Sequence, residues 1–283
     1  MNLNIKQSKK IQKAKDVKIP TGYFDKIDSG SEHLNKVLGG GFVMGSSICF
    51  YAKAGQGKST LMLNAMQLLS DKGLKGCYCS GEESVVQLSN TCKRINTPEV
   101  NLANLTNIDE ICQLVTDENI NFLVIDSIPS LSVSTKMNNK AKEEYIINKI
   151  VSTAKETGCI IISILHQTKE GKFLGGTGII HAVDIELKLS NSYNHSQSPK
   201  DAMPKDKRCF SSIKNRFGSP CIVELTMTNT GFDLNPNPII ESEPYITPII
   251  TESTKPVTKH KNPNILTCLI TDIKRNFRCW IIN

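Results

Sequence analysis

The strongest constraint on this chain is ten residues long: Tyr51-Ala52-Lys53-Ala54-Gly55-Gln56-Gly57-Lys58-Ser59-Thr60. An apolar run, Ile48–Ala52, precedes it and a helix-like segment, Lys58–Ser70, follows. A glycine-bearing turn between a strand and a helix is the setting in which G-x-x-x-x-G-K-[ST] binds phosphate. Gly55 and Gly57 let the backbone curl so that its N–H groups point inward, at the positive end of the helix dipole. Lys58 is expected to reach the β- and γ-phosphates, and Ser59 to supply a hydroxyl to Mg²⁺. Ala52, Gln56 and Thr60 complete the loop, with Thr60 capping or packing at the helix start. Ala52 stands where the usual pattern has its first glycine, a position that accepts a small side chain. ATP and Mg²⁺ are therefore the expected ligands.

Such a loop needs a larger framework, and the flanking pattern supplies one. Strand-like and helix-like segments alternate as Ile48–Ala52, Lys58–Ser70, Gly76–Ser80, Glu83–Arg94, Ile108–Thr116, Phe122–Asp126, Lys140–Glu156 and Cys159–Leu165. That alternation predicts an α/β fold, a mostly parallel central sheet with flanking helices. After Gly171 come short alternating runs, Asp184–Leu189, Cys209–Lys214 and Ile222–Thr228, expected as antiparallel edge strands with no clear helix between them. Residues 1–27 read as a basic arm, 28–234 as the folded domain, and 235–283 as a Pro/Thr/Ser-rich linker with a short apolar C-terminal segment.

The remaining chemistry is sought where these strands end. Asp126 closes the apolar run Phe122–Ile125 and is the candidate for the magnesium shell. Ser80-Gly81-Glu82-Glu83 ends the preceding strand; Glu82 is the candidate for orienting or activating water, with Glu83 favouring the next helix N-terminus. Leu165-His166-Gln167 brings two more polar groups to the same edge, either of which would sense the γ-phosphate. The stretch Lys172–Gly178 reads equally as a mobile nucleic-acid loop or a plain surface loop.

Composition narrows the alternatives. With 39% hydrophobic and 22% charged residues the chain can bury a substantial core. A net charge of +7 suits a phosphate-bearing partner. Ten cysteines lie singly on apolar runs, so reduced thiols are expected. Cys77 and Cys79, alternate residues on one strand, do not converge on a metal. No apolar run approaches the ~20 residues that cross a bilayer, and the start MNLNIKQSKK lacks a signal-peptide core, so no membrane association and a cytoplasmic location are expected.

Taken together, these strings resemble the bacterial RadA (Sms) family of RecA-like DNA-repair ATPases, roughly over residues 20 to 234. The matching pieces are IPTG at Ile19–Gly22, LNKVLGGGFVMGS at Leu34–Ser46, the phosphate loop, SGEES at Ser80–Ser84, LVIDSI at Leu123–Ile128, TKEG at Thr168–Gly171 and KNRFG at Lys214–Gly218. The last is the most specific. The resemblance implies a RecA-like P-loop NTPase core acting as a DNA-dependent ATPase of recombinational repair, with branch migration among its activities. It implies a homo-oligomer, a hexameric ring on single-stranded or branched DNA, and a recombinase partner. Lys214 and Arg216 would reach the nucleotide of a neighbouring subunit, where a guanidinium stabilises phosphoryl charge. DNA contacts would come from Lys136, Lys140, Lys142, Lys169 and Lys172.

Set against that family, the sequence reads as a truncated form, with no four-cysteine zinc finger expected before Cys49 and no Lon-protease-like domain expected after Leu234. His166-Gln167 also stands where the family more often has a Gly-His-Val run. Two other readings stay open: a KaiC-like regulatory ATPase with protein partners, and a nucleotide-binding interaction module without significant turnover.

Overall fold

The computed structural model describes residues 13–19, 22, 24–167, 178–191 and 204–235. The chain divides into two compact units, Met1–Asn237 and Pro238–Asn283, and every described residue belongs to the first. Lys169 and Lys172, most of the glycine-rich stretch after them, and the segment from 236 onward lie outside the described residues.

The domain opens with a small layer: β1 (Lys26–Ile27), α1 (Glu32–Val37) and β2 (Phe42–Val43), with β1 antiparallel to β2. The alternating body follows. Its first half is β3 (Ser47–Lys53), α2 (Lys58–Asp71), β4 (Gly76–Ser80), α3 (Val85–Ile95), β5 (Asn101–Ala103) and α4 (Ile108–Asp117). Next come β6 (Phe122–Asp126), α5 (Asn139–Thr157), β7 (Ile160–Gln167), α6 (Gly178–Ala182) and β8 (Ile185–Ser190). The last three strands are β9 (Lys207–Asn215), β10 (Ile222–Thr228) and β11 (Gly231–Asp233). One nine-stranded sheet results, in the order β11-β10-β9-β8-β3-β7-β6-β4-β5.

Strand β3 is apolar along nearly its whole length because both its faces are covered; only Lys53 at its tip is half-exposed. Alternate side chains go to two separate cores. Ile48, Phe50 and Ala52 join Ile160, Ile162 and Ile164 under α1, α2 and α3. Cys49 and Tyr51 join Ile161 and Leu165 under α4, α5 and α6. Phe42 and Phe122 pack edge to face in the first core, ring centroids 5.2 Å apart at 84°. The eight cysteines among the described residues are free, and seven of them are buried.

One expectation about topology is corrected. The sequence pattern implies an antiparallel strand around Asp184–Leu189, but β8 runs parallel to β3, with Ile48 opposite Ile185 and Ala52 opposite Leu189. Two parallel strands need a connection that crosses the sheet, and α6 is the described part of it. Five helical residues are too few to leave a periodic signature. Antiparallel pairing starts only at β9 and continues through β10 and β11.

The consequence for the site is geometric. Strands β3, β4, β6 and β7 are mutually parallel, so Lys53, Ser80, Asp126 and Gln167 all end at one edge of the sheet. In open parallel sheets this carboxyl edge is where ligands bind.

Candidate active site

The phosphate loop leaves β3 and enters α2 through Gly57, whose left-handed backbone (φ 96°) caps the helix. Gly55 is also left-handed (φ 75°), and a Cβ there would meet nothing within 4 Å, so its solvent side is open. No side chain caps α2. Its first N–H groups are thus left to a ligand, as a phosphate cradle requires. Ala52 is fully buried in the core, which accounts for a methyl in place of the first glycine.

Lys58 is buried at the start of α2, and among the described residues its ammonium reaches only the Ala52 carbonyl, at 3.5 Å. Burial holds its pKa below the ordinary lysine value, opposed by the charges of Asp126 and Glu82. An ammonium so poorly compensated gains most from an incoming polyanion.

Ser59 Oγ donates to Asp126 Oδ2 at 3.2 Å, and the Tyr78 hydroxyl donates to the same oxygen. Asp126 is buried, and among the described residues its Oδ1 has no hydrogen-bond partner. Burial pushes its carboxyl pKa up, and Glu82 adds to the rise, while the Tyr78 bond, His166 and Lys58 pull it down. A carboxylate with a free oxygen beside a serine hydroxyl is an all-oxygen donor set fitting Mg²⁺. Gln56 Oε1, in the loop itself, is a second buried oxygen with no partner among the described residues.

Glu82, from the end of β4, completes the cluster. Its Oε1 accepts from Ser127 Oγ and lies 3.1 Å from His166 Nε2. Glu82, Asp126 and His166 bring their ligating atoms within 4.8 Å of one another. Glu83 lies immediately before the N-cap of α3, its N–H donating to Ser80 Oγ, so the helix begins two residues later than the expected Glu83 start. Ser84 and Gln87 cap that helix instead, through a reciprocal capping box. Burial, with Asp126 and Glu82 nearby, raises the Glu83 pKa. Gln167 ends β7 directly opposite Lys53.

Other sequence candidates lie elsewhere. Lys136 and Lys140 are exposed and Lys142 is half-exposed, around the N-terminus of α5. Lys214 and Arg216 sit at the amino edge of the sheet, since Lys214 pairs with Glu186 and Asn215 with Ile185. Lys214 Nζ donates to the carbonyls of Ile180, His181 and Val183. Arg216 is ion-paired with Asp184 at 3.0 Å. Within one chain these two cannot touch the phosphate loop.

Three contributors escape a reading of the sequence. Tyr78 and Ser127 read as core and linker, with no local sign of their carboxylate partners. Arg208 stands at the loop end of β9, its Nε donating to the Gln56 carbonyl at 3.3 Å. The basic pair Lys207-Arg208 before an apolar strand is the available signal.

Comparison with known proteins bears on the whole arrangement. A family model described as an AAA domain matches residues 13–172. The chain is 32% identical over 201 residues to the DNA repair protein RadA of Rickettsia typhi, covering 69% of this chain and 43% of that protein. It is 31% identical over 215 residues to the RadA of Escherichia coli, covering 74% and 44%. Against the RadA of Bacillus subtilis the identity is 30% over 206 residues, covering 71% and 43%. The chain thus spans less than half the length of these relatives. Among solved structures it is similar to the ATPase domain of G40P, with a TM-score of 0.63 and 13% identity, covering 76% of this chain and 93% of that one.

Proposed function

This chain belongs to the AAA domain family as a RadA-like ATPase of the RecA type, and on that premise we propose that it couples Mg-ATP hydrolysis to binding single-stranded or branched DNA in repair. The observation that carries the proposal is the convergence at one sheet edge of the phosphate loop, Asp126 and Glu82. Phosphoryl transfer asks little covalent work of a protein; positioning and charge stabilisation dominate.

The roles follow from position. Backbone N–H groups of Gly55, Gln56, Gly57, Ser59 and Thr60, with the ammonium of Lys58, hold the phosphates. Ser59 and Asp126 would hold Mg²⁺, which when bound neutralises charge on the phosphate oxygens. Glu82 is fixed by Ser127 and His166, so its carboxylate is oriented before water arrives and takes the proton as general base. Gln167 and His166 read the terminal phosphate from the end of β7.

Lys140 and Lys142, with Lys169 and Lys172, serve as contacts to DNA phosphates, a role their charge suits. Lys214 and Arg216 act across a subunit boundary in a ring-forming assembly; both are remote from their own phosphate loop, and Arg216 is the one open to a neighbour's, whereas Lys214 would have to leave the carbonyls of Ile180, His181 and Val183. Among the described residues no helix is long and apolar enough to cross a membrane.

The test is ATP turnover with and without single-stranded DNA over a series of salt concentrations. Stimulation by DNA, together with binding that weakens steeply as salt rises, is the expected result. Turnover indifferent to DNA, with no salt-sensitive binding, overturns the DNA half of the proposal and leaves the ATPase half standing.

A further inference from the structure

The turn that carries Arg216 is held unusually firmly for a surface loop. Asn215 Oδ1 accepts from the Phe217 N–H at 2.8 Å, and Lys26 Nζ donates to the carbonyls of both Phe217 and Gly39. Gly39 and Gly218 approach so closely that a Cβ on either would come within 2.9 Å of the other's Cα. The Arg216 N–H donates to the Asp184 carbonyl at 3.1 Å. Its Nη1 donates to Asp184 Oδ1 at 3.0 Å.

Asp184 is fixed in its turn. Its Oδ2 accepts from both the N–H and the hydroxyl of Ser47, at 3.0 and 2.9 Å. The two side chains differ sharply in exposure: Asp184 is 10% exposed and Arg216 52%. One edge of the guanidinium is therefore anchored to a buried, immobilised carboxylate, and among the described residues nothing accepts from Nε or Nη2. A flexible arginine gains little from an exposed ion pair. An arginine with one nitrogen tied down and a free fork facing outward is organised in advance for a planar or tetrahedral anion.

That anion is not on the same chain's loop. Arg216 lies beyond the amino end of β8, where Ile185 pairs with Ile48, and the loop begins five residues further along β3, about 17 Å away. We infer that Asp184 is a positioning residue, presenting Arg216 to the triphosphate held by a second copy of this chain. The inference rests on the proposed cross-subunit role of Arg216 and adds the residue that aims it.

The experiment uses the full chain and four variants, Asp184→Asn, Arg216→Ala, Lys58→Ala and Ser47→Ala, each measured for melting temperature, affinity for a fluorescent ATP analogue, and turnover alone and in pairwise mixtures. Asparagine can still accept from the Ser47 N–H but cannot hold the guanidinium by charge. Asp184→Asn is expected to keep nucleotide affinity and lose about 10²-fold in turnover, the cost of a misplaced catalytic group. Mixing it with Lys58→Ala recovers turnover, because the second protein offers an intact Arg216 to the first protein's intact loop. Ser47→Ala, which removes one of the two anchors, gives a smaller loss in the same direction. If Asp184→Asn turns over like the wild type while Arg216→Ala does not, the positioning role is wrong and the cross-subunit reading survives. If Arg216→Ala also turns over normally, the cross-subunit reading itself fails. Loss of melting temperature and nucleotide affinity together in Asp184→Asn, with no recovery on mixing, makes Asp184 a staple of the fold and overturns the inference.

Discussion

Ser59 and Asp126 are 67 residues apart in the chain and meet across 3.2 Å, the first turn of α2 against the tip of β6. The contact is possible because β7 lies between β3 and β6 in the sheet and all three end at the same edge. It joins the phosphate loop to the carboxylate that the proposed magnesium shell requires.

Removing the buried ammonium tests that centre most directly. Lys58→Ala is expected to weaken binding of an ATP analogue by more than tenfold and to abolish turnover, in line with the ~1.5–3 kcal/mol of a charge-assisted hydrogen bond and more where water is excluded. Isothermal titration with Mg-ATP reads the first effect and phosphate release the second. Undiminished affinity would remove the basis of the assignment.

Asp126→Asn separates function from stability. Burial raises the Asp126 pKa in the fold even with Lys58 beside it, so the ionised form is the costly one. A raised carboxylate stabilises the fold below its unfolded pKa and loses that contribution as pH rises through the folded value. The amide carries no such charge. The variant should therefore melt higher than the wild type at neutral pH without metal, the gap closing as pH falls toward the ordinary aspartate range. Turnover should be lost throughout. Melting curves at a series of pH values check the sign.

Glu82→Gln keeps the shape and the Ser127 and His166 contacts while removing the basic oxygen. Turnover should fall by about 10²–10⁴-fold with nucleotide affinity little changed, the mark of a group acting in the chemical step. Equal turnover in the wild type and the variant would move the base elsewhere, with Glu83 as the next carboxylate to replace.

Gly57→Ala addresses the backbone of the loop. Its φ of 96° disfavours any side chain, and the new methyl would meet the Phe232 ring at 3.0 Å and Met227 at 3.3 Å. A loss of about 1–2 kcal/mol from the backbone alone is expected, with more from the clash, and denaturant unfolding measures it. Nucleotide affinity should fall too, since the same turn aims the N–H groups.

Local pattern carries much of this. The run Phe122–Ile125 announces a buried strand and Asp126 its polar end; the glycines before Lys58 announce the loop. Pairings that depend on strand order are out of its reach. His166 and Glu82 are 84 residues apart and touch only because β7, β6 and β4 are neighbours. Nothing around Tyr78 shows that its hydroxyl bonds Asp126, because tyrosine on a strand reads as core. The direction of β8 is hidden for the opposite reason. Its own sequence is ordinary, and direction is set by the crossover before it. Asp184 likewise looks like the start of a strand until Ser47 and Arg216 are brought to it.

Strand β9 carries Arg208 near one end, against the Gln56 carbonyl of the phosphate loop, and Lys214 near the other, beside the turn of Arg216. Five residues lie between these ends, about 20 Å from Arg208 to Lys214. Cys209, Phe210 and Ser211 are paired on both sides, to β8 and to β10, but the register with β8 slips between Leu187 and Glu186 and leaves Ile213 with no residue opposite it. An irregularity of this kind bends and twists its strand locally. The strand is thus stiff at the phosphate-loop rim and yielding just before Arg216, so the two rims are linked through a joint and a small movement at one is not handed on whole to the other.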